Sequence, residues 1–369
     1  MDSLVSERRA ALLGSINVRA VALSADGRTA LTSDLEQGVV LWALSRTQQP
    51  GRRSLDAIKL ATLKSDAGGV GALALTPDGR TALTGYDDGS ASIWDLADKS
   101  HPVETATLGE PDDATAVRYV ALTPDGKTAL IGHDDGSVTM WDPTKKYRPA
   151  LLMLKTHTTG LRGLGLSADG RTVVIVSKSA GFVWDLTDRS RPLQVGTLTR
   201  AESEWEGVAV SADGRTVVTG SWSSADVWDV TDRAHPIYLS SLPGVSGRVD
   251  SVALSQDGRT ALTSGDGGST TLWELKDRSH PIKMAPLDVP ADDVRSVALD
   301  AEGKTPVVGT GRWGAVVWSL DGISTDPLSD ACADARFQVR IYPESWDSLI
   351  NGEEWSRYFE DRSSFELCP

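Results

Sequence analysis

The chain has 369 residues, 40% hydrophobic and 24% charged, with a formal net charge of −14, which fits a folded protein with a large core rather than a disordered chain. No stretch approaches the ~20 consecutive apolar residues of a membrane-spanning helix, and the N-terminus lacks the apolar run of a secretory signal. The negative charge argues against nonspecific binding to nucleic acid, which needs a basic surface, and 35 Gly with 17 Pro disfavour a helical bundle.

A short phrase of the form VALSADGRT, first seen at residues 21–29, recurs seven times along the chain. The acidic residues before its glycine are Asp26, Asp78, Asp125, Asp169, Asp213, Asp257 and Glu302, at steps of 52, 47, 44, 44, 44 and 45 residues. A tryptophan follows each copy: Trp42, Trp94, Trp141, Trp184, Trp228, Trp273 and Trp318. Self-similarity at a constant period indicates a repeat architecture.

Each copy predicts four β-strands. Apolar residues alternate before and after the Asp-Gly pair, which is typical of two strands joined by a tight turn. A third strand ends at the tryptophan. A second turn, often of the form Asp-Arg-x-x-Pro, precedes a predicted fourth strand. The proline is compatible with this prediction, because proline is tolerated at the start of a strand. The fourth strands are predicted to end at Leu63, Leu108, Leu154, Leu198, Leu242 and Leu287.

Seven such units, four of which have Trp-Asp endings, resemble the WD-repeat β-propeller family. The resemblance implies an all-β fold, a seven-bladed β-propeller of four-stranded antiparallel blades. The Gly-His dipeptide that is common ahead of the first strand in that family is missing here. The buried His–Ser–Asp–Trp network of the family is therefore not expected in most blades, and other contacts must hold the blades together.

The seventh unit lacks a fourth strand of the usual kind after Trp318, whereas RRAALLGS at residues 8–15 precedes the first copy. Its Leu13 matches the leucine that ends the other fourth strands. We therefore predict that residues 9–15 close the last blade, that residues 1–320 form the propeller, and that deleting residues 1–15 destabilises the ring.

Residues 321–369 break the repeat. Two short helices are predicted there, in DPLSDACADARF and GEEWSRYFEDR. In the second, Trp355, Tyr358 and Phe359 fall at positions i, i+3 and i+4 and form an apolar stripe, which we expect to pack on the propeller. The segment is acidic, with 11 Asp and Glu against four Arg in residues 320–369.

The end of the chain, EEWSRYFEDRSSFELCP, is similar to a short tail of bacterial WD-repeat proteins in which Glu-Trp-x-x-Tyr precedes a final Cys-Pro. By this resemblance, Cys332 and Cys368 are the cysteine pair of the family. A disulfide that ties down the tail and a pair of free thiols both remain open, because a reducing cytosol favours thiols.

Function is expected where the copies differ. The second residue of the predicted first strand varies between blades, as Arg19, Gly71, Arg118, Arg162, Glu206, Asp250 and Arg295. In propellers this position lies near one mouth of the central channel. Arginine suits the recognition of carboxylate and phosphate, so a rim that binds an acidic or phosphorylated peptide is predicted. The alternative is that these arginines pair with nearby aspartates such as Asp87 and Asp134.

Aromatic side chains add to this predicted surface. Trp222 and Trp313 occupy the turn before the third strand, where other copies have turn residues such as Asp-Gly. A tryptophan in a loop is typical of a binding hot spot, and the alternative is packing against a neighbouring blade or the tail. Trp205 and Tyr119, which neighbour the variable strand position, are predicted to contribute aromatic contact.

Catalysis has little support in the sequence. Three of the five histidines, His101, His235 and His280, precede proline in the repeated turn, where they are scaffold residues. The other two, His133 and His157, have no metal-ligand spacing, and neither a GxSxG motif nor a P-loop is present. Calcium at the Asp-Asp-Gly turns is conceivable, but such turns usually need no metal. We predict no cofactor and no metal.

The sequence thus predicts a non-catalytic scaffold that binds a protein or peptide, and that is cytoplasmic, monomeric and not bound to nucleic acid or membranes. The main alternative is the regulatory sensor half of a signalling system whose kinase or NTPase effector is absent from this chain. A second alternative is a propeller hydrolase or lyase that uses Glu206, Asp250 and arginine at the channel mouth.

Overall fold

The computed structural model describes most of the first 320 residues. The described residues are 10–13, 17–34, 38–49, 52–65, 67–109, 115–145, 152–154, 160–200, 204–243, 247–265, 268–287, 289, 294–312 and 314–320. All regular elements among them are β-strands, so the described part contains no helix that is long and apolar enough to cross a membrane. The helices and the packed tail predicted within residues 321–369 fall outside the described residues.

In the described part of the chain, 28 strands form seven sheets of four antiparallel strands, and each sheet is one blade. Blade 1 has β2 (Val18–Leu23), β3 (Thr29–Asp34), β4 (Gly38–Gln49) and β5 (Arg52–Leu63). Blade 2 has β6 (Val70–Leu75), β7 (Thr81–Tyr86), β8 (Ala91–Asp95) and β9 (Val103–Leu108). Blade 3 has β10 (Val117–Leu122), β11 (Ala129–His133), β12 (Val138–Trp141) and β13 (Leu152–Leu154).

The remaining blades repeat this order. Blade 4 has β14 (Leu161–Leu166), β15 (Thr172–Ser177), β16 (Gly181–Asp185) and β17 (Leu193–Leu198). Blade 5 has β18 (Trp205–Val210), β19 (Thr216–Ser221), β20 (Ala225–Asp229) and β21 (Ile237–Ser241). Blade 6 has β22 (Val249–Leu254), β23 (Thr260–Gly265), β24 (Thr270–Glu274) and β25 (Ile282–Leu287). Blade 7 has β26 (Val294–Leu299), β27 (Pro306–Thr310), β28 (Gly314–Trp318) and β1 (Ala10–Leu13).

The blades form a closed ring. The first strand of each blade contacts the first strand of the next, and β26 of blade 7 contacts β2 of blade 1. β1 pairs with β28 in register from Ala10 opposite Trp318 to Leu13 opposite Ala315, so the N-terminal strand is the outer strand of the last blade. The predicted seven-bladed propeller is confirmed.

The core lies between blades rather than within them. Seven apolar clusters occur in the described part, and each combines side chains of two adjacent blades. In the cluster between blades 4 and 5, for example, Val174 and Val183 of one sheet pack against Trp228 of the next. Each sheet therefore buries both of its faces, and a blade cannot bury its apolar surface alone.

The Asp-Gly turns explain the repeated phrase. Asp26 accepts hydrogen bonds from the hydroxyl of Ser24 (2.6 Å) and the amide of Arg28 (3.0 Å), and Ser24 Oγ accepts from the amide of Thr29. Gly27 has φ +65°, a conformation that disfavours other residues. The same Ser/Thr–Asp hydrogen bond recurs in Thr76–Asp78, Thr123–Asp125, Ser167–Asp169, Ser211–Asp213 and Ser255–Asp257.

Neighbouring turns are joined by backbone hydrogen bonds on this face of the ring, which we call the turn face. The donor is the residue before the acidic residue, and the acceptor is the carbonyl of the same position in the next blade. The bonds join Ala25 to Pro77, Ala168 to Ala212, Ala212 to Gln256, Gln256 to Ala301, and Ala301 to Ala25. At the two remaining seams the donor position is Pro77 or Pro124, which has no N–H.

The repeated tryptophans donate to threonine. In four blades the indole N–H reaches the hydroxyl of a threonine on the second strand, at 2.9–3.0 Å: Trp42 to Thr32, Trp94 to Thr84, Trp228 to Thr219 and Trp273 to Thr263. Blade 4 has Ile175 at this position, and Trp184 Nε1 is buried with no hydrogen-bond partner among the described residues. These bonds are among the contacts that hold the blades.

In blades 1, 2, 4, 5 and 6, a cation that follows the repeated tryptophan contacts the preceding blade of the ring. The contacts join Lys99 to Thr29, Arg189 to Asp125, Arg233 to Asp185, Arg278 to Asp229, and Arg46 to Asp300. Asp185 and Asp229 are the aspartates of two Trp-Asp endings, so this residue of the repeat serves contact between blades as well as the turn that follows it.

Candidate functional site

A β-bulge marks the variable position in the first strands of the blades. In blades 2 to 7 the pairing with the second strand skips the second residue of the first strand, and in blade 1 it skips from Val18 to Val21. The skipped residues include Arg19, Gly71, Arg118, Arg162, Glu206, Asp250 and Arg295, which is the set singled out by the alignment of the copies. A bulge re-aims a side chain out of the regular pleat. We call this set, with the turns between second and third strands, the rim.

In blades 1 to 3 the rim is a chain of ion pairs between blades. Arg19 Nη1 lies 3.0 Å from Asp87, which belongs to the next blade. Arg118 binds Asp87 of the preceding blade at 3.2 Å and Asp134 of its own blade at 3.0 Å. The hydrogen bond to Asp134 raises the pKa of Arg118 above its ordinary value. The predicted alternative, pairing of these arginines with nearby aspartates, thus occurs here.

In blades 4 to 6 the rim is organised around Glu206, which is 7% exposed. Its Oε2 lies 3.4 Å from Arg162 Nη1 and 3.8 Å from Arg248 Nη2. Arg248 also forms an ion pair with Asp250. A buried carboxylate needs such partners, because removing its hydration is costly. Sequence reasoning missed Arg248, which precedes the first strand of blade 6 and has no counterpart in the repeated phrase.

Trp222 is the aromatic group of this cluster. Its indole N–H donates to Glu206 Oε1 at 2.6 Å, and the guanidinium of Arg248 lies 5.5 Å from the centre of its ring. The side chain is nevertheless 53% exposed. The turn before the third strand of blade 5 thus presents a tryptophan that is fixed by a buried acid and still faces solvent.

Trp205, which was predicted to add contact at the rim, lies in the core instead. It is 1% exposed and stacks edge-to-face on Trp228, with ring centres 6.4 Å apart. The physical reason is its position: it is the first residue of β18, and the corresponding residues Val70 and Val249 are also buried. Its ring is therefore not available to a partner without rearrangement of the blade.

Tyr119 lies beside the rim and is partly buried. Burial raises the pKa of its hydroxyl to about 12, and the nearby carboxylates of Glu206 and Asp134 act in the same direction. The group therefore stays protonated at physiological pH and can donate a hydrogen bond.

Three predicted site residues remain without a structural account. Trp313, Cys332 and Cys368 lie outside the described residues. Arg295 is exposed at the bulge position of blade 7. The arrangement thus brings together Arg19 with Arg118 through Asp87, and Arg162 with Glu206, Trp222 and Asp250.

The acidic turns and histidines have structural roles. Asp88 and Asp135 accept hydrogen bonds from Ser90 and Ser137 within their own turns. Three histidines contact an aspartate three residues earlier: His101 with Asp98, His235 with Asp232, and His280 with Asp277, at 2.9–3.0 Å. These contacts lower the pKa of each aspartate. Within the described ranges, no group of three or more His, Cys, Asp or Glu side chains is arranged to hold a metal ion.

Comparison with known families gives one match in two places. Residues 58–95 and 103–142 match the family described as WD domain, G-beta repeat. Each matched segment covers an outer strand and the first three strands of the following blade: β5 to β8, and β9 to β12. No curated protein sequence matches the chain at a significant level.

Proposed function

Because the chain is a WD-repeat β-propeller, we propose that it is a non-catalytic scaffold that binds a protein or peptide at the rim. Propellers of this family commonly serve as scaffolds for protein interaction. A closed ring of sheets fixes the positions of its loops, which lowers the entropy cost of recognition.

The observation that carries this proposal is the state of Trp222. An exposed indole normally samples several rotamers, and ordering it on binding costs free energy. Here the N–H bond to Glu206 and the contact with Arg248 hold the ring before any partner arrives. Tryptophan and arginine are also the residues most enriched at the energetic centres of interfaces. Trp222 therefore fits the role of an anchor for an apolar group of the partner.

The charges of the rim support a partner that carries an acidic group, and Arg162 is the residue that would bind this group. Arg118 is engaged by two aspartates, whereas Arg162 touches Glu206 through one atom pair at 3.4 Å. The Arg162 side chain is 41% exposed, although its Nε is buried and has no hydrogen-bond partner among the described residues. Lys178 lies in the turn before the third strand of the same blade; its side chain is 54% exposed and its Nζ forms an ion pair with Glu204 at 3.3 Å. This part of the rim thus keeps donors for a carboxylate or a phosphate.

The scaffold role is preferred to catalysis because Glu206 and Asp250, the two acids that a propeller hydrolase or lyase would use, are engaged. Glu206 receives Trp222 and two arginines, and Asp250 pairs with Arg248. A propeller hydrolase or lyase would need such acids available for proton transfer. The regulatory-sensor alternative would use the same rim, with a separate kinase or NTPase. That role, the bacterial origin, the monomeric state and the cytoplasmic location stay predictions.

The test is affinity capture from the source lysate with matched variants. Trp222→Ala removes the anchor, and Ile237→Ala removes a similarly exposed apolar side chain (58%) on the outer strand of the same blade. We expect the wild type and Ile237→Ala to retain the same partner, and Trp222→Ala to retain at least about tenfold less, which corresponds to a hot-spot loss of ~1.4 kcal/mol or more.

Arg162→Glu tests the acidic component in the same experiment. It is expected to weaken capture, and phosphatase treatment of the lysate separates a phosphate on the partner from a carboxylate. If Trp222→Ala and Arg162→Glu both retain the partner as well as the wild type does, while circular dichroism shows that both are folded, the rim is not the binding surface.

A further inference from the structure

The hairpin formed by β4 and β5 is longer than its counterparts. Each of its strands has 12 residues, whereas the third and fourth strands of the other blades have three to six. Pairing between β3 and β4 ends with Thr29 opposite Ala43, but pairing between β4 and β5 continues to Gln49 opposite Arg52. Apart from the bond from the Leu44 amide to the Arg28 carbonyl, residues 44–49 and 52–57 pair only with each other, and we call them the lock hairpin.

The lock hairpin packs on the blade that closes the ring. Leu44 and Leu55 are buried in one apolar cluster with Leu13 of β1 and with Ala315 and Val317 of β28. β5 and β1 are in contact. Burial of leucine next to leucine in this way stabilises the contact by the hydrophobic effect. The hairpin of blade 1 therefore lies against the N-terminal strand of blade 7.

A buried ion pair joins the same elements. Arg46 Nη2 lies 3.0 Å from Asp300 Oδ2 in the first turn of blade 7, and it also contacts Thr305 Oγ1. Asp300 is 3% exposed and stands where the other six copies have serine or threonine. At the other seams with a described cation–carboxylate contact, the carboxylates of Asp125, Asp185 and Asp229 are partly exposed. The interface between blades 7 and 1, which we call the closing seam, thus differs from these interfaces because its carboxylate is buried.

The closing seam also differs in how the chain crosses it. Blades 1 to 7 follow one another along the chain, so the polypeptide itself joins each blade to the next. Along the chain, blade 7 is connected to blade 1 through β1, which pairs with β28 and precedes β2 in the sequence. β1 has four residues and is an edge strand with one paired neighbour. Short edge strands open easily unless other contacts hold them.

We propose that the lock hairpin keeps β1 in blade 7, so that closure of the ring depends on the contacts of Leu44, Arg46 and Leu55. The hairpin covers β1 through Leu55 and fastens blade 7 through Arg46 and Asp300. Loss of the lock frees β1 first, while blades 2 to 6 remain paired because their chain connections are unaffected.

The experiment is hydrogen–deuterium exchange of the full chain, monitored by mass spectrometry. The variants are Arg46→Met and Leu55→Ala. Arg233→Met is the matched control, because Arg233 makes the corresponding contact to Asp185 at an internal seam. We expect the amides of β1 to exchange at least about tenfold faster in both lock variants, with β15 and β19 unchanged. Arg233→Met is expected to leave β1 as in the wild type.

Two results would overturn the proposal. One is that the amides of β1 exchange at the wild-type rate in both lock variants. The other is equal acceleration of β1 in Arg46→Met and Arg233→Met, which would indicate general destabilisation. If Arg46→Met does not fold, Asp300→Ser restores the residue type of the other copies and removes the buried carboxylate together with its pair. Faster exchange confined to β1 and its neighbours in blade 7 is expected there too, and unchanged exchange contradicts the lock.

Discussion

At the residue scale, the indole of Trp94 donates to Thr84, and three further blades use the same pair of positions. Blade 3 instead bonds Trp141 to Thr139 of its own strand, and in blade 4 Ile175 offers no acceptor to Trp184. A buried donor without a partner costs about 1–3 kcal/mol relative to a satisfied one. Blade 4 therefore carries a local defect that a single substitution can repair.

We predict that Ile175→Thr is more stable than Ile175→Val by about 1 kcal/mol. Both variants remove one methylene from the core, and threonine also replaces a methyl group with a hydroxyl, whose burial is offset only by its own hydrogen bonds. Only threonine gives Trp184 an acceptor, and its hydroxyl proton can be accepted by the carbonyl of Phe182, the register partner of residue 175. Urea unfolding of the two variants measures the difference. Equal midpoints would show that the indole N–H gains nothing at this position.

Residue-scale features were predictable only in part. Alignment of the copies finds the seven rim positions, because the repeat is in phase. It does not show that a bulge re-aims them, and Trp205, one residue earlier, was therefore predicted at the rim although it faces the core. The bond from Trp222 to Glu206 depends on the path of a turn, which the sequence pattern does not determine.

At the scale of elements, the Asp-Gly turn is the unit that is repeated most faithfully. Its glycines share a positive φ, but their surroundings differ between blades. A Cβ at Gly27 would lie 2.6 Å from Thr305 Oγ1 and 2.9 Å from both Arg46 Nη2 and Asp300 Oδ2. A Cβ at Gly126 would meet nothing closer than 3.8 Å.

Gly27→Ala is therefore predicted to destabilise the protein more than Gly126→Ala. The φ values are +65° and +64°, so both variants carry the same backbone strain, about 1–2 kcal/mol. The additional loss in Gly27→Ala, expected to be at least ~1 kcal/mol, comes from displacement of the Arg46–Asp300–Thr305 contacts. Thermal unfolding of both variants measures it. Equal losses of stability in the two variants would mean that the Arg46–Asp300–Thr305 contacts adjust to the added methyl group without cost.

The strands followed from the alternating pattern, and the ends of the outer strands at leucine were largely correct, with β21 ending one residue before Leu242. The lock hairpin was not predicted. Its signal was the first repeat step of 52 residues against 44 in most others, which places about eight extra residues between the first two turns. A longer step alone does not distinguish a loop from an extended hairpin.

At the scale of the whole molecule, the number of blades was predictable because each copy of the repeat can be recognised from its own residues. Counting the copies then gives the number of blades in the ring. Closure through β1 followed from the same count, since the seventh unit lacked a strand that residues 10–13 provide. The identity of the partner could not be predicted in this way. It depends on single residues that differ between the copies, and no other copy repeats that information.

The turn carboxylates predict acid sensitivity of the whole ring. The pKa values of Asp26, Asp125, Asp185 and Asp229 lie below 3.8, because hydrogen bonds and nearby cations outweigh burial, which alone would raise them. Such groups stabilise the folded state above their unfolded pKa, and this stability is lost as pH falls through the folded pKa. We predict that their contribution to the urea midpoint is constant above about pH 5 and declines below about pH 4.

Asp185→Asn checks the origin of this decline. The variant loses the charge that pairs with Arg233 and cannot titrate, so its urea midpoint should fall less than that of the wild type between about pH 5 and pH 3. An identical fall in both proteins would assign the acid sensitivity to other groups.

The central claim is that the rim, with Trp222 held in place by Glu206, is the surface that recognises a partner. The most direct measurement is the hydrogen-exchange footprint of the captured partner on the full chain. The account predicts protection of residues 204–208, 220–225 and 247–251, with the turn-face segments 24–29 and 76–81 unchanged. Protection confined to the turn face or to the outer strands, with the rim exchanging as in the free protein, would contradict it.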